Sequence, residues 1–176
     1  CRKAVFTSAQ LPQRTAALSS VAPIIRGACA IADPGIEGHF RRFVMEFRTT
    51  PAIENFVDGV DLTRYARQGV VTPDHTIRNK NWPLIVSPPA HDTLAEFGAD
   101  LKRAVAAFTE NYKAYFERNN RRVGGIKRMR DPAPGVVMVP GLGLFGLGQT
   151  LKDTRVAADI AESAVKAITG TEAIGR

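Results

Sequence analysis

Cysteine is scarce in this sequence, which contains only Cys1 and Cys29. Two cysteines are too few for the disulfide framework of a small secreted domain, and no basic-then-apolar signal segment opens the chain. We therefore expect reduced thiols and a cytoplasmic location, with Cys29 as a small buried residue. The chain also begins without methionine, and we expect it to be a segment excised from a longer protein.

Long apolar runs and stacking aromatics are also missing. No apolar run approaches the ~20 residues that a membrane-spanning helix needs, so we expect no membrane partner. The net charge is +7, and much of the excess lies in residues 118–130, which contain no aromatic residue. Without aromatic side chains to stack bases, or a recognisable binding motif, we interpret this stretch as a solvated connector and expect no nucleic-acid partner.

Helical and strand patterns alternate along the chain, which favours an α/β layer architecture. Apolar spacing predicts helices over residues 11–32, 51–57, 61–68, 92–119 and 150–169, and strands over residues 43–47, 82–86 and 136–139. Pro23 should kink or split the first helix. Residues 69–75 are predicted to form a turn. The inner stripe of the last helix is predicted to be Val156, Ile160, Ala164 and Ile168.

A glycine-rich stretch follows the predicted strand at residues 136–139. Gly141, Gly143 and Gly146 have the spacing of a dinucleotide-binding fingerprint between a strand and a helix. That motif also requires a second strand ending in an acidic residue about 20 residues on. Glu162 stands near that distance, but it lies inside the predicted last helix. We interpret the glycines as sites of tight turns and close backbone packing, and expect no cofactor-binding residue in this segment.

Histidine is equally sparse. The sequence has His39, His75 and His91, and no two of them have the HxH or HExxH spacing that sets the geometry of a catalytic zinc site. We therefore predict no metal ligand in this segment.

The densest polar cluster lies in residues 72–80. It combines Thr72, Asp74, His75, Arg78 and Lys80 next to a proline-fixed turn. Such a set can bind a phosphorylated or hydroxylated substrate, and Asp74 and His75 can act as acid or base. In the alternative interpretation, Asp74 caps the following backbone and the basic groups are solvated. The spacing alone leaves both interpretations open.

Two stretches resemble a known family. Residues 69–80 read GVVTPDHTIRNK and resemble its TPDHxIRxK segment; residues 136–148 read VVMVPGLGLFGLG and, with the following KDxRxAADIA run, resemble its VPGLGLFGxGxTxKDxRIAADIxE segment. The family is the bifunctional class II aldolase/short-chain dehydrogenases, similar to rhamnulose-1-phosphate aldolase/alcohol dehydrogenase. The resemblance extends from about residue 62 to the C-terminus.

The resemblance implies a class II aldolase/adducin-like three-layer α/β fold, as a degenerate copy or a fragment of it. Residues 1–130 would form the aldolase-like α/β region. Residues 131–176 would supply the closing strand, the glycine-rich hairpin and the C-terminal helix of the same domain. His75 would stand where class II aldolases place an acidic catalytic residue, and Pro140-Gly141 where they place a zinc histidine. The zinc-binding and NAD(P)-binding domains of the parent protein would lie before Cys1 and after Arg176, respectively.

The resemblance further implies a sugar-metabolising parent enzyme that couples aldol cleavage of a sugar 1-phosphate to NAD(P)-dependent aldehyde/alcohol oxidoreduction. Alone, this segment would be inactive. It would pack against the neighbouring aldolase and dehydrogenase domains, and lend the cluster at residues 72–80 to a composite site for a sugar phosphate. The alternative is a non-catalytic scaffold that forms a homo-oligomer. A nicotinamide-binding domain is a third possibility.

Overall fold

The computed structural model describes residues 3–33 and 35–174. Cys1 and the last two residues of the predicted 131–176 segment therefore lie outside the described residues. Among the described residues, no helix is both long enough and apolar enough to cross a membrane.

Helices and strands alternate through the described chain. The helices are α1 (Leu18–Ala28), α2 (Pro51–Val57), α3 (Leu62–Tyr65), α4 (Pro73–Asn79), α5 (Leu94–Arg122) and α6 (Leu151–Glu172). The strands are β1 (Ile31–Ala32), β2 (Phe40–Arg41), β3 (Val44–Arg48), β4 (Leu84–Ile85), β5 (Val136–Val139) and β6 (Gly143–Gly148). The predicted helix at residues 51–57 and the predicted strand at residues 136–139 are confirmed at both ends.

A mixed four-stranded sheet with the strand order β3-β6-β5-β4 forms the centre of the fold. Strands β5 and β6 form an antiparallel hairpin, β3 pairs antiparallel with β6, and β4 runs parallel to β5. Strands β1 and β2 pair with each other in a separate two-stranded sheet. The hairpin agrees with the glycine-rich turn expected after residue 139.

Alternate residues of the β-hairpin enter two different hydrophobic cores, because successive side chains of a strand point to opposite faces of the sheet. On one face, Val137, Val139 and Phe145 pack with α1 and α5 in what we call the first core. On the other face, Val136, Met138 and Leu144 pack with α2, α3 and α6 in the second core. The order helix, sheet, helix makes a three-layer α/β fold, which confirms the predicted fold class.

The predicted helix at residues 11–32 is shorter in the structure, where α1 begins at Leu18. The residues before it run extended: Thr15 forms a β-bridge with Ala90, and the backbone N–H of Ala16 donates to the carbonyl oxygen of Pro89 at 2.9 Å. A partner distant in sequence therefore outweighs the local helical pattern. Helix α1 continues through Pro23, so the proline does not split it, and this residue is exposed to solvent.

The predicted turn at residues 69–75 is also wrong in part, because α4 begins at Pro73 with Thr72 as its N-cap residue. Proline at the first helical position lacks only an N–H that would have no helical partner, and its fixed φ suits the helix. Pro73 therefore starts a helix, where the sequence pattern predicts a turn.

The inner face of α6 differs from the predicted stripe. Its buried residues are Thr154, Ala157, Ala158, Ala161, Val165 and Thr169, whereas Val156, Ile160, Ala164 and Ile168 are half-buried. Small side chains face the sheet because α6 lies very close to β6: a Cβ atom added at Gly146 would lie 2.8 Å from the carbonyl oxygen of Thr154. Thr150 caps the start of α6, since its Oγ1 accepts from the backbone N–H of Asp153 at 3.1 Å.

The thiol of Cys29 is buried in the first core and unpaired, as expected. Burial raises its pKa to about 12, so almost no reactive thiolate forms at neutral pH. We expect iodoacetamide at pH 8 to alkylate Cys29 about a thousandfold more slowly in the folded protein than in guanidinium. Mass-spectrometric mapping of the alkylated peptide measures this. Equal rates in the two states would contradict the burial of this thiol.

Candidate functional site

Helix α4 and the residues that follow it position the polar cluster predicted from the sequence. Thr72 Oγ1 lies 3.0 Å from His75 Nδ1, so the N-cap residue holds the imidazole in place. His75 and Lys80 are buried, with 7% and 6% of their surface exposed. Asp74 is exposed in the first turn of α4. The structure thus separates the cluster into a buried part and a solvent-facing part.

A cavity of about 40 Å³ lies beside His75. It is bounded by α4, the segment from Asn79 to Pro83, β5 and the inner face of α6, and most of its lining is apolar. Gly69 and Val70, which are exposed to solvent, complete its wall.

Three buried polar atoms without a hydrogen-bond partner belong to side chains that line this cavity. Within the described residues they are His75 Nε2, Asn79 Oδ1 and Asn81 Oδ1, and the remaining such atom, Thr169 Oγ1, is not part of the lining. Asn79 Nδ2 donates to the carbonyl oxygen of Ala157 at 3.0 Å, which identifies Oδ1 as the unpaired atom of that amide. Unpaired buried polar atoms are costly and each calls for an explanation.

A second, wider site of about 280 Å³ lies next to the C-terminal end of α4. We call it the basic cleft; its charged lining residues are Arg41, Arg78, Lys80, Arg130, Asp131 and Asp153. Both carboxylates already have a cation nearby, since Arg78 lies 3.4 Å from Asp153 and Arg41 lies 3.9 Å from Asp131. The four basic groups exceed the two acidic ones, so the cleft is suited to an anion.

Lys80 has two unusual features. Its backbone φ is 67°, which makes it the one non-glycine residue with a positive φ among the described residues. Such a conformation costs on the order of 1–3 kcal/mol and persists only where the surroundings impose it. Burial also lowers the pKa of the Lys80 ammonium; nearby Asp131 raises it and Arg130 lowers it further. The ammonium lies 5.0 Å from the centre of the Tyr112 ring. An anion beside it would restore part of the lost solvation.

The five residues predicted from the sequence therefore fall into three places. Arg78 and Lys80 meet in the basic cleft, His75 lines the small cavity together with Lys80, and Asp74 faces solvent. Thr72 connects to the cavity through His75.

Sequence reasoning missed Asn79 and Asn81 as site residues. Asn79 follows His75 by four residues, so the two side chains share one face of α4. That spacing is the signal that could have identified it. Gly135 was also missed: a Cβ atom there would lie 2.6 Å from the carbonyl oxygen of Arg78. No local signal reveals that contact.

The glycine-rich stretch does not form a strand-to-helix turn. Gly143 and Gly146 lie within β6, and Glu162 forms ion pairs with Lys166 at 2.9 Å and Arg48 at 3.2 Å. The glycines permit close packing instead, as expected. The described residues contain no group of three or more His, Cys, Asp or Glu side chains able to hold a metal ion.

Comparison with known proteins gives two findings. The family described as "Aldolase class II, second domain" matches residues 16–176. The uncharacterized oxidoreductase YuxG of Bacillus subtilis (strain 168) is 26% identical over 168 residues, which cover 93% of this chain and 22% of the relative. The chain thus spans about a fifth of the length of that curated relative. No solved structure gives a significant match. The predicted relationship to class II aldolases is confirmed, and the chain belongs to the family of class II aldolase second domains.

Proposed function

We propose that this domain is an accessory part of a bifunctional sugar-metabolising enzyme, in which its basic cleft holds the phosphate of a sugar 1-phosphate, such as rhamnulose 1-phosphate. The zinc-dependent aldol cleavage and the NAD(P)-dependent oxidoreduction would reside in neighbouring domains of the longer protein. The family description and the oxidoreductase name of the relative support this arrangement.

The observation that carries the proposal is a desolvated lysine among arginines. Lys80 shares the cleft with Arg41, Arg78 and Arg130. Arginine presents a planar fork of donors that matches phosphate oxygens, and lysine adds a compact charge. The N-terminal turn of α6 also borders the cleft through Asp153, and Gln149 borders it just before the helix. Backbone N–H groups at a helix N-terminus add to the attraction for an anion.

In this proposal, Asp74 and His75 have a secondary role. Asp74 faces solvent at the start of α4, where a neighbouring domain could cover it. Thr72 fixes the His75 ring through Nδ1. Both remain candidates for proton transfer in a composite site, with Thr72 as the residue that orients the base.

Replacing Arg78 or Lys80 with methionine in the full-length protein should raise the KM for rhamnulose 1-phosphate about tenfold and leave kcat nearly unchanged, because a uniform binding contact is lost. Inorganic phosphate should compete with the substrate in the wild type, and about tenfold more weakly in the variants. Steady-state kinetics measures both effects.

Arg103→Met is the matched control, because Arg103 is exposed on α5, pairs with Asp100 and does not line the cleft. If both cleft variants kept the wild-type KM and the wild-type inhibition by phosphate, the cleft would not be part of the substrate-binding site. A scaffold role for the domain would then be the better explanation.

A further inference from the structure

The cavity beside His75 differs from the basic cleft in its lining, and the residue that the two sites share is Lys80. The cavity lies against α6 and the second core, through Val136, Met138 and Val165. The Lys80 ammonium lies instead over the ring of Tyr112, which belongs to the first core. The cavity therefore has its own chemistry, which the phosphate proposal does not use.

The unpaired atoms of the cavity specify hydrogen-bond donors. Asn79 Oδ1 and Asn81 Oδ1 can only accept, and both lack a partner within the described chain. His75 Nε2 can do either: it donates when Thr72 Oγ1–H donates to Nδ1, and accepts in the other tautomer. A molecule with two hydroxyl groups can satisfy both amide oxygens and still bond to the imidazole.

The rest of the lining limits the charge and the size of the molecule. Among the described residues, the charged side chain of the lining is Lys80, whose ammonium lies over the Tyr112 ring, and no acidic side chain is present, so a cation would have no counter-charge. Apolar walls from Phe56, Met138 and Val165 suit methylene groups. A volume of about 40 Å³ corresponds to roughly three water-sized groups, since one water needs about 10–15 Å³.

We infer that this cavity is a binding site for a small neutral hydroxy compound of about three or four heavy atoms, in the size class of a two-carbon diol. The Oδ1 atoms of Asn79 and Asn81 accept hydrogen bonds from its hydroxyl groups, and His75 Nε2 forms a hydrogen bond with one of its oxygens. Gly69 and Val70, exposed at the wall, provide the side from which it enters. The inference stands independently of the phosphate cleft.

Saturation-transfer NMR on the full-length protein, with ethylene glycol as the probe, tests the inference. The wild type should give a saturable ethylene glycol signal. Asn81→Leu, which removes one acceptor, and Ala164→Ile, which fills the cavity, should each reduce that signal about tenfold. Ala167→Ile is the control, because Ala167 also lies on α6 but does not line the cavity. 1,4-Butanediol is too large for the cavity and should not bind there. Any signal that it gives should therefore be the same in the wild type and in these variants.

The possible results of this experiment either support or contradict a diol site in the cavity. Loss of the signal in both cavity variants, with retention in Ala167→Ile, supports the site. A wild-type protein without a saturable signal overturns it, and ordered water would then satisfy the three polar atoms. A signal that survives Ala164→Ile places the diol elsewhere and overturns it as well. Because the readout is diol binding, these results are separable from the KM effects expected for Arg78 and Lys80.

Discussion

Replacing Gly148 with alanine should destabilise the fold by about 3 kcal/mol or more, because the added methyl group overfills a packed layer. A Cβ atom at Gly148 would lie 2.5 Å from the backbone nitrogen of Thr154 and 2.9 Å from the carbonyl carbon of Asp153. Both atoms belong to the first turns of α6 and cannot swing away as a flexible side chain could. Relief of this steric clash requires α6 to move away from β6, and that movement would open the second core. The free energy of unfolding, from urea titration followed by circular dichroism, measures the loss.

Gly170→Ala is the matched control, because Gly170 lies in α6, the helix against which Gly148 of β6 packs, and a Cβ atom there would meet nothing within 4 Å. Alanine is the better helix former by roughly 0.5–1 kcal/mol, so this variant should be as stable as the wild type or more stable. If Gly148→Ala unfolds at the wild-type urea concentration, close packing is not the reason for glycine at this position.

Local sequence signals were sufficient where an element depends mainly on its own residues. Helix α2 has Thr50 as an N-cap, whose hydroxyl accepts from the N–H of Ile53, and Pro51 at its first position. Both signals are readable in the sequence. Strand β5 is a compact β-branched run, buried on both faces. These elements were predicted at their exact bounds.

Elements that depend on distant partners were not predictable in the same way. Residues before Leu18 are extended because of contacts with Pro89 and Ala90, more than 70 positions away. The glycines of β6 let α6 approach closely, so Ala157, Ala158 and Ala161 lie inside, whereas the larger Val156 and Ile160 are half-buried. A periodic pattern identifies a helix, but it cannot identify the surface against which that helix packs.

In the candidate site, too, residues of one short segment were predictable from the sequence and residues from distant segments were not. Arg78 and Lys80 stand in the sequence cluster, and the structure brings them together in one cleft. Arg41 and Arg130 join that cleft from about 40 and 50 positions away, which spacing could not predict. The three unpaired atoms of the cavity are visible only when burial and hydrogen bonding are known. Sequence reasoning thus found the charged residues that one short segment carries and missed the partners that the fold supplies.

Replacing Gly135 with alanine should damage the fold and the candidate sites together. A Cβ atom at Gly135 would lie 2.6 Å from the carbonyl oxygen of Arg78 and 2.9 Å from Cα of Asn79. The C-terminal end of α4 must then move away from the start of β5. We expect a loss of about 2–3 kcal/mol in the free energy of unfolding, as for other overpacked sites. We also expect weaker phosphate inhibition, because the displaced segment carries Arg78 and Lys80.

Gly98→Ala separates this effect from the general consequences of losing a glycine. A Cβ atom at Gly98, inside α5, would make only an ordinary contact of 3.4 Å with the Ile24 side chain, so stability and phosphate inhibition should not fall. Urea unfolding and phosphate inhibition, measured on the same preparations, report the two effects of Gly135→Ala independently. A Gly135→Ala protein that loses stability but keeps wild-type phosphate inhibition would show that Arg78 and Lys80 do not bind the phosphate. A protein unchanged in both would show that α4 does not rest on β5 at this glycine.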